Sequence, residues 1–194
     1  SFDDFSKQLL NLINELNFDK IHLIGFSIGS LIARNFAVKY NDRLKSLTLF
    51  GSVYKRTEDQ QKTVNDRFNL AKKDLKLSRQ ALKRWFSDKY LEENPNTYKK
   101  ISSILEKNNI KDFLKVYELF VFHKNNEKFK NINVNTLVMT GENETGSTVE
   151  MSKNLCKVIR NSSLKVIKNG KHLCGIECSD DVNMSLKNFI KNND

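Results

Sequence analysis

"HLIGFSIGS", residues 22–30, begins with an apolar run that ends at Gly25. Ser27 follows, with Gly25 two positions before it and Gly29 two positions after it. The apolar residues 21–24 are typical of a strand buried on both faces, and residues 28–40 have the apolar spacing of a helix. A serine between such a strand and helix is exposed only if the backbone turns tightly. We expect Gly25 and Gly29 to leave room for that turn, because a Cβ at either position would press against a neighbouring strand or helix.

Helical and strand-like patterns alternate on both sides of this turn. Residues 2–16 carry apolar side chains every three or four positions behind a Ser1–Asp4 capping box, and residues 44–50 resemble a strand. After residue 132 the alternation resumes, with strands predicted at 136–140 and 164–167 and helices predicted at 149–159 and 182–190. Strands joined through helices pair in parallel by right-handed crossovers, so we predict a mostly parallel α/β sheet with helices on both faces.

Residues 55–130 interrupt this alternation and are predicted to be helical. Their apolar residues have helical spacing, with clusters at Leu75, Leu77, Leu82, Trp85, Phe86, Ile101, Ile104, Leu105, Phe113, Leu114, Tyr117 and Phe120. The segment holds 19 Lys and Arg against 11 Asp and Glu. Because these charges are interspersed rather than clustered, they favour a solvated helical surface over a nucleic-acid groove. We expect a core formed by residues 1–54 and 131–194, with residues 55–130 as a helical insertion.

The composition of the whole chain limits its class. Among its 194 residues no apolar run approaches the length of a membrane span, and the first residues, with two aspartates, do not resemble a signal peptide. Three cysteines are too few for a disulfide framework. We expect a cytoplasmic protein with reduced thiols and with no membrane or nucleic-acid partner; the sequence gives no indication of an oligomeric state.

A reactive serine needs a base that removes its proton and a third group that orients the base. The chain has three histidines. His22 lies inside a predicted strand and is interpreted as a structural residue, and His123 lies beside a lysine in the insertion, where we expect it at the surface. His172 follows the last predicted strand in a loop, which is where a base must lie to reach Ser27.

The acid of such a site should follow the preceding strand. In TLVMTGENETGS, residues 136–147, the predicted strand ends near Thr140 and is followed by Glu142 and Glu144. Spacing alone does not separate these two carboxylates.

Metal binding is a weaker interpretation of His172, Cys174 and Cys178. Two thiols and one imidazole are one ligand short of a tetrahedral zinc site, and no further Cys or His is near in the sequence. Cys156 lies beside an apolar helical stripe and is interpreted as a small hydrophobic residue. We predict neither a metal nor a cofactor.

Four stretches together resemble the α/β-hydrolase family, and specifically its branch of 3-oxoadipate enol-lactonases and related small esterases. They are HLIGFSIGSLIARNFAVKYNDRLKSLTLFGS (22–52), ALKRWFSDKYLEENP (81–95), TLVMTGENETGSTVEMSKNL (136–155) and KNGKHLCGIECSDDVN (168–183). The resemblance implies that residues 25–29 form the family's nucleophile elbow. The family's Gly-x-x-Asp loop corresponds to residues 141–144, so the resemblance favours Glu144 as the acid. Ser30 stands where these proteins commonly have a glycine.

The resemblance implies an ester or lactone hydrolase that forms an acyl-enzyme on Ser27. His172 would be the base, Glu144 its orienting acid, and the N–H of Ile28 one donor of the oxyanion hole. Residues 55–130 would form a cap over a small-molecule pocket, and Arg84 is a candidate contact for a substrate carboxylate. Candidate aromatic residues of that pocket are Phe26, Trp85, Phe86, Tyr117 and Phe120, and the last four have the alternative role of holding the cap together.

The amino-terminal part departs from the family's pattern. The elbow in the family follows four strands and one or two helices, whereas a single predicted helix precedes it here, so we expect roughly 60–90 residues of the fold to be absent. Residues 21–25 would then lie at an apolar sheet edge. A hydrolase-like binding protein without activity, or an inactive fragment, is a second hypothesis. A third is a basic module that binds acidic partners through residues 55–130.

Overall fold

A computed structural model describes residues 1–73 and 78–194; Leu75 and Leu77 of the predicted helical clusters lie outside the described residues. Short 3₁₀ turns lie at Asn41–Arg43 and Phe129–Asn131. The first half of the chain contains α1 (Phe2–Glu15), β1 (Ile21–Phe26), α2 (Ile28–Lys39), β2 (Leu44–Phe50), α3 (Glu58–Lys73), α4 (Ser78–Trp85) and α5 (Asp88–Glu93). The second half contains α6 (Pro95–Glu106), α7 (Ile110–Val121), β3 (Thr136–Gly141), α8 (Val149–Val158), β4 (Ser162–Ile167), α9 (Cys174–Glu177) and α10 (Ser179–Lys191).

The four strands form one parallel sheet in the order β1-β2-β3-β4. Because all four run the same way, their carboxyl ends meet at one edge of the sheet, where the loops after Phe50, Gly141 and Ile167 begin. The predicted parallel α/β sheet is confirmed. The predicted capping box is also present, because the Ser1 side chain accepts from the N–H of Asp4.

Hydrophobic residues cover both faces of the sheet. On one face, α1, α2 and α8 pack against the strands around Phe36, Leu47 and Leu155. On the other, α9 and α10 pack against Met139 of β3. Neighbouring residues Val138 and Met139 point to opposite clusters, as the two-residue period of a strand requires. Burial on both faces explains why the strands are continuous apolar runs.

At the sheet's edge, β1 pairs only with β2 among the described residues. Ile24 is 43% exposed there. The expectation of an apolar edge at residues 21–25 is confirmed in the described part of the chain.

Helices α3 to α7 occupy the described part of residues 55–130, between β2 and β3. Phe68 of α3 packs on Val121 and Tyr117 of α7, which gives these helices a small hydrophobic cluster of their own. The division into a core (1–54 and 131–194) and a cap (55–130) remains our proposal for the domain organisation.

A buried charged cluster joins the end of the insertion to α2. The Arg34 guanidinium, which is fully buried, pairs with Glu127, and Glu127 also lies 3.1 Å from Nε2 of His123. The side chain of His123 is only 8% exposed, so the expectation that His123 lies at the surface is wrong. Its flanking lysine indicated exposure, but the chain turns here so that the imidazole faces the buried carboxylate.

Replacement of Glu127 should be strongly destabilising. Burial raises the pKa of the Glu127 carboxyl, but His123 and Arg34 lower it further than burial raises it, so the group is ionised and compensates the Arg34 charge. Glu127→Gln would leave Arg34 buried without a counter-charge, which typically costs about 3–5 kcal/mol. We expect urea unfolding at pH 7 to show this loss, whereas Glu118→Gln on the exposed face of α7 should change stability by less than about 0.5 kcal/mol. Equal stability of the two variants would contradict this account of the cluster.

Candidate active site

Ser27 lies on the turn between β1 and α2 with backbone angles of φ 54° and ψ −120°. Few residues other than glycine adopt a positive φ, and such strain concentrates at functional sites. Two contacts hold the turn: the Ser27 N–H donates to the Phe50 carbonyl at 2.9 Å, and the Ser30 hydroxyl donates to the Ser27 carbonyl. The Ser30 hydroxyl therefore stabilises the turn, a role that the sequence did not indicate.

The two glycines that flank Ser27 differ in their surroundings. A Cβ at Gly25 would lie 2.4 Å from the Gly29 carbonyl oxygen and 2.7 Å from Cβ of Ala33, whereas a Cβ at Gly29 would meet no atom within 4 Å. The expected steric need is confirmed for Gly25 and wrong for Gly29. Gly25 lies beneath the first turn of α2, and Gly29 faces away from the contact between β1 and α2.

Paired alanine substitutions test this difference. In Gly25→Ala the new Cβ would push β1 and α2 apart. Overpacking of this kind typically lowers the free energy of unfolding by about 1–3 kcal/mol, and it should also displace Ser27. Gly29→Ala fills open space and adds helix propensity, so stability should stay the same or rise by up to about 1 kcal/mol. Thermal unfolding of both variants measures the difference. A Gly29→Ala variant that is less stable than Gly25→Ala would contradict the geometry.

His172 follows β4 in a loop at the carboxyl edge of the sheet. Its Nε2 lies 3.1 Å from the Ser27 hydroxyl oxygen. Two aromatic rings pack near the imidazole, with ring centroids 5.0 Å away for Phe26 and 6.0 Å away for Trp85. These contacts restrict the position of the imidazole beside Ser27.

Glu144 contacts the other nitrogen of the same ring. Its carboxylate accepts a hydrogen bond from Nδ1 of His172, and its second oxygen accepts from the N–H groups of Gly146 at 2.6 Å and Ser147 at 3.4 Å. Burial raises the pKa of the Glu144 carboxyl, but these hydrogen bonds outweigh burial and hold the pKa below its ordinary value. Because an ionised carboxylate only accepts hydrogen bonds, we assign the proton to Nδ1, which leaves Nε2 free to accept the Ser27 proton.

Glu142 lies outside this constellation. It is exposed, and its carboxylate accepts from the N–H of Asn169 at 2.9 Å, which braces the loop that leads to His172.

The other candidate groups have structural surroundings. His22 bonds to Ser46 at 2.8 Å and to Asp194 at 3.0 Å, as expected of a structural residue. Cys156 packs beside the main hydrophobic core, and burial raises the pKa of the Cys174 thiol to about 12. In the described part of the chain no cluster of three or more His, Cys, Asp or Glu is arranged to hold a metal ion.

A cavity of about 320 Å³ opens above Ser27 and His172. Ile28 lines it as the first residue of α2, where N–H groups have no acceptor within the helix. Three of the aromatic residues predicted for the pocket, Trp85, Tyr117 and Phe120, also line it.

The other two aromatic candidates are not at the cavity. Phe86 is fully buried and stacks on Tyr90 at 5.3 Å, so it holds the insertion together and cannot touch a substrate. Phe26 packs beneath the ring of His172 and against Phe50. Trp85 is the last residue of α4 and lines the cavity, whereas Phe86 follows the helix and its side chain is buried away from the cavity.

Two arginines of the insertion line the same cavity. Arg67 comes from α3 and Arg84 from α4. Burial lowers the pKa of the Arg84 guanidinium, and the nearby charge of Arg67 lowers it further. Burial raises the pKa of the Tyr117 phenol, and both arginines partly oppose this rise. Within the described ranges neither guanidinium pairs with a carboxylate, and Arg84 donates a hydrogen bond to the Gln80 carbonyl at 3.0 Å. Arg84 was predicted as a carboxylate contact from the sequence, whereas Arg67 was not.

The family model of the alpha/beta hydrolase fold matches residues 1–177 of this chain. The chain belongs to that family. Among curated proteins, the chain is similar to the (E)-2-((N-methylformamido)methylene)succinate hydrolase of Acinetobacter baylyi, with 25% identity over 193 residues, covering 97% of this chain and 72% of that protein. The 3-oxoadipate enol-lactonase 1 of the same organism is also 25% identical, over 98% of this chain and 71% of its own length.

The fold of the family is also evident in solved structures. The enol-lactonase from Burkholderia xenovorans LB400 superposes with a TM-score of 0.86 at 18% identity, over 98% of this chain and 73% of that chain. Among residues 1–73 and 78–194, none of the helices combines the length and the apolar character that crossing a membrane requires.

Proposed function

We propose that this member of the family is a serine hydrolase that cleaves an ester or lactone through an acyl-enzyme. The observation that carries the proposal is the chain of contacts from Glu144 through His172 to Ser27 at the floor of a cavity. Acyl transfer of this kind needs a nucleophile, a base that takes its proton and an acid that orients the base, and Ser27, His172 and Glu144 would have these roles. Residues 55–130 act as the cap, and we keep the cytoplasm as the proposed location because the chain's few cysteines suit reduced thiols.

Each proton in the proposed reaction passes through Nε2 of His172. As the Ser27 oxygen bonds to the substrate carbonyl carbon, Nε2 takes the hydroxyl proton, and Glu144 stabilises the imidazolium. The N–H of Ile28 donates to the oxyanion. The carbon–oxygen bond to the leaving alcohol then breaks, and Nε2 returns the proton to that alcohol. Water attacks the acyl-enzyme with the same proton relay, releases the acid and restores Ser27.

We further propose that the substrate carries a carboxylate remote from the scissile bond. Two half-buried guanidiniums without a carboxylate partner in the described residues repel each other, and an anionic ligand would balance both charges. Arginine binds carboxylates through two parallel hydrogen bonds. The names of the two curated relatives, an (E)-2-((N-methylformamido)methylene)succinate hydrolase and a 3-oxoadipate enol-lactonase, agree with an acidic substrate.

A panel of esters tests both parts of this proposal. We expect hydrolysis of p-nitrophenyl butyrate, and a higher kcat/KM for mono-p-nitrophenyl glutarate, which adds a terminal carboxylate. If neither these esters nor simple lactones are hydrolysed, the hypothesis of a non-catalytic binding protein gains and the hydrolase proposal fails.

Arg84→Gln and Arg67→Gln should each reduce the preference for the carboxylated ester. A lost charge-assisted hydrogen bond is worth about 1.5–3 kcal/mol, so the ratio of the two kcat/KM values should fall roughly 10- to 100-fold. Lys62→Gln on the exposed face of α3 removes the same charge outside the cavity and serves as the control. An equal fall in all three variants would assign the preference to overall charge rather than to the two arginines.

A further inference from the structure

We infer that Glu177 is a positioning residue that ties the cap to the loop of His172 and so holds the base against Ser27. The inference rests on the proposed function, and it concerns a carboxylate that the proposed chemistry does not use. Glu177 is the last residue of α9, which begins two residues after His172.

The Glu177 carboxylate binds the connection between cap helices α4 and α5. Its two oxygens accept from the Ser87 N–H at 3.3 and 3.2 Å, and one of them also accepts from the Ser87 hydroxyl. Ser87 is the N-cap of α5, where its hydroxyl accepts from the Tyr90 N–H at 3.1 Å. The Glu177 side chain therefore fixes the start of α5 and the short connection that follows α4.

Two more hydrogen bonds connect the same pair of segments. The Leu173 N–H donates to the Trp85 carbonyl at 2.9 Å, and the Lys171 ammonium donates to the Lys83 carbonyl at 3.1 Å. Residues 171 and 173, the two neighbours of His172, are thus both bonded to the last turn of α4. We call these contacts between residues 171–177 and residues 83–87 the seam. The hydrogen bonds between Glu177 and Ser87 form the part of the seam that lies beyond residue 173.

The seam determines where the imidazole lies. The Trp85 ring, which lines the cavity, is 6.0 Å from the ring of His172. The N–H of Glu177 donates to the Leu173 carbonyl at 3.1 Å, so α9 connects the Glu177 anchor directly to the residue after the base. If the anchor is released, α4 and the loop can separate, and the distance between Nε2 and the Ser27 hydroxyl is no longer fixed. A misplacement of about 1 Å can reduce a rate on the order of 100-fold.

The first test is kinetic. In Glu177→Ala we expect kcat for p-nitrophenyl butyrate to fall roughly 10- to 100-fold, with KM nearly unchanged because the cavity lining remains. A fluorophosphonate probe should label Ser27 more slowly by a similar factor, because labelling also requires the positioned base. Glu177→Gln keeps an oxygen that accepts from Ser87 and should recover most of the rate. Ser87→Ala removes the hydroxyl contact but keeps the Ser87 N–H that donates to Glu177, so it should lower kcat less than Glu177→Ala does. The double variant should be no slower than Glu177→Ala, as expected for two residues that act through one contact.

The second test does not depend on activity. Trp85 is the single tryptophan of the chain, so its fluorescence reports whether the end of α4 stays packed against the loop of His172. At constant pH we expect Glu177→Ala to shift the emission to longer wavelength and to increase quenching by acrylamide, because separation of α4 from the loop exposes the indole to water. Asn109→Ala, which removes the N-cap of α7 in the same cap, controls for a general loss of cap stability.

The outcomes separate the two proposals. If Trp85 fluorescence changes in Glu177→Ala as expected but the wild-type chain neither hydrolyses esters nor reacts with the probe, the proposed function is overturned and the tie is supported. The inference is overturned if Glu177→Ala retains the wild-type fluorescence and rate, if Asn109→Ala loses the rate equally, or if Glu177→Gln is as slow as Glu177→Ala.

Discussion

Ser27→Ala should abolish hydrolysis of p-nitrophenyl butyrate and reaction with a fluorophosphonate probe. Without the hydroxyl no acyl-enzyme forms, and removal of a triad nucleophile typically reduces kcat on the order of 10⁶-fold. Peptide mass spectrometry of the labelled wild type should locate the probe on Ser27. Because Ser27 has a positive φ, the alanine variant keeps the strained turn and its thermal unfolding should be compared with that of the wild type.

Ser52→Ala provides the matched control for the nucleophile. Ser52 is buried at the end of β2, beside Arg34, and carries a hydroxyl that does not line the cavity. This variant should keep its labelling by the probe. Retained hydrolysis in folded Ser27→Ala would exclude the proposed nucleophile.

Glu144→Gln should have the second largest effect. The amide can no longer balance the imidazolium, and its NH₂ group competes for the contact with Nδ1, which favours the wrong tautomer of His172. Loss of a triad acid in this way reduces kcat on the order of 10⁴-fold. The same substitution at Glu142, which is exposed and bonds only to the Asn169 N–H among the contacts described, should change kcat by less than a factor of about three.

The pH dependence of stability provides a second measurement on Glu144. Its pKa in the folded protein lies below the ordinary value, so its hydrogen bonds stabilise the fold above the unfolded pKa, and this contribution is lost as the pH falls through the folded pKa. In Glu144→Gln that part of the acid-induced loss of stability should disappear. If Glu142→Gln instead shows the large kinetic effect, the acid lies at Glu142 and the correspondence of loop 141–144 to the family pattern is wrong.

Local sequence patterns predicted the elements that present the site. The apolar run before Gly25, the helical spacing after Ser27 and the strand before His172 are short-range features, and parallel pairing follows from their order. Once the strands are parallel, loops after different strands must meet at one edge. That is why residues as distant as Ser27 and His172 could be paired from the sequence before any distance was known.

Side-chain surroundings were decided only by tertiary packing. Spacing left Glu142 and Glu144 equivalent, and resemblance alone favoured Glu144; in the fold, only Glu144 turns toward His172. Gly29 matched the same pattern as Gly25, yet only Gly25 lies against the neighbouring helix. In each case the deciding contact comes from atoms whose positions depend on how distant segments pack, which a local pattern does not encode.

The sequence by itself determined the order of elements, the turn that carries Ser27 and the loop that carries His172, because these depend on the hydrophobic period and on glycine positions along one short stretch. Only the tertiary structure decided that His123 is buried against Glu127, that Phe86 faces away from the cavity, and that Glu177 reaches Ser87 across the cap. These last features join residues up to 90 positions apart. These contacts form where segments that are distant in the sequence pack together. The local sequence pattern of one segment does not specify which other segment it packs against.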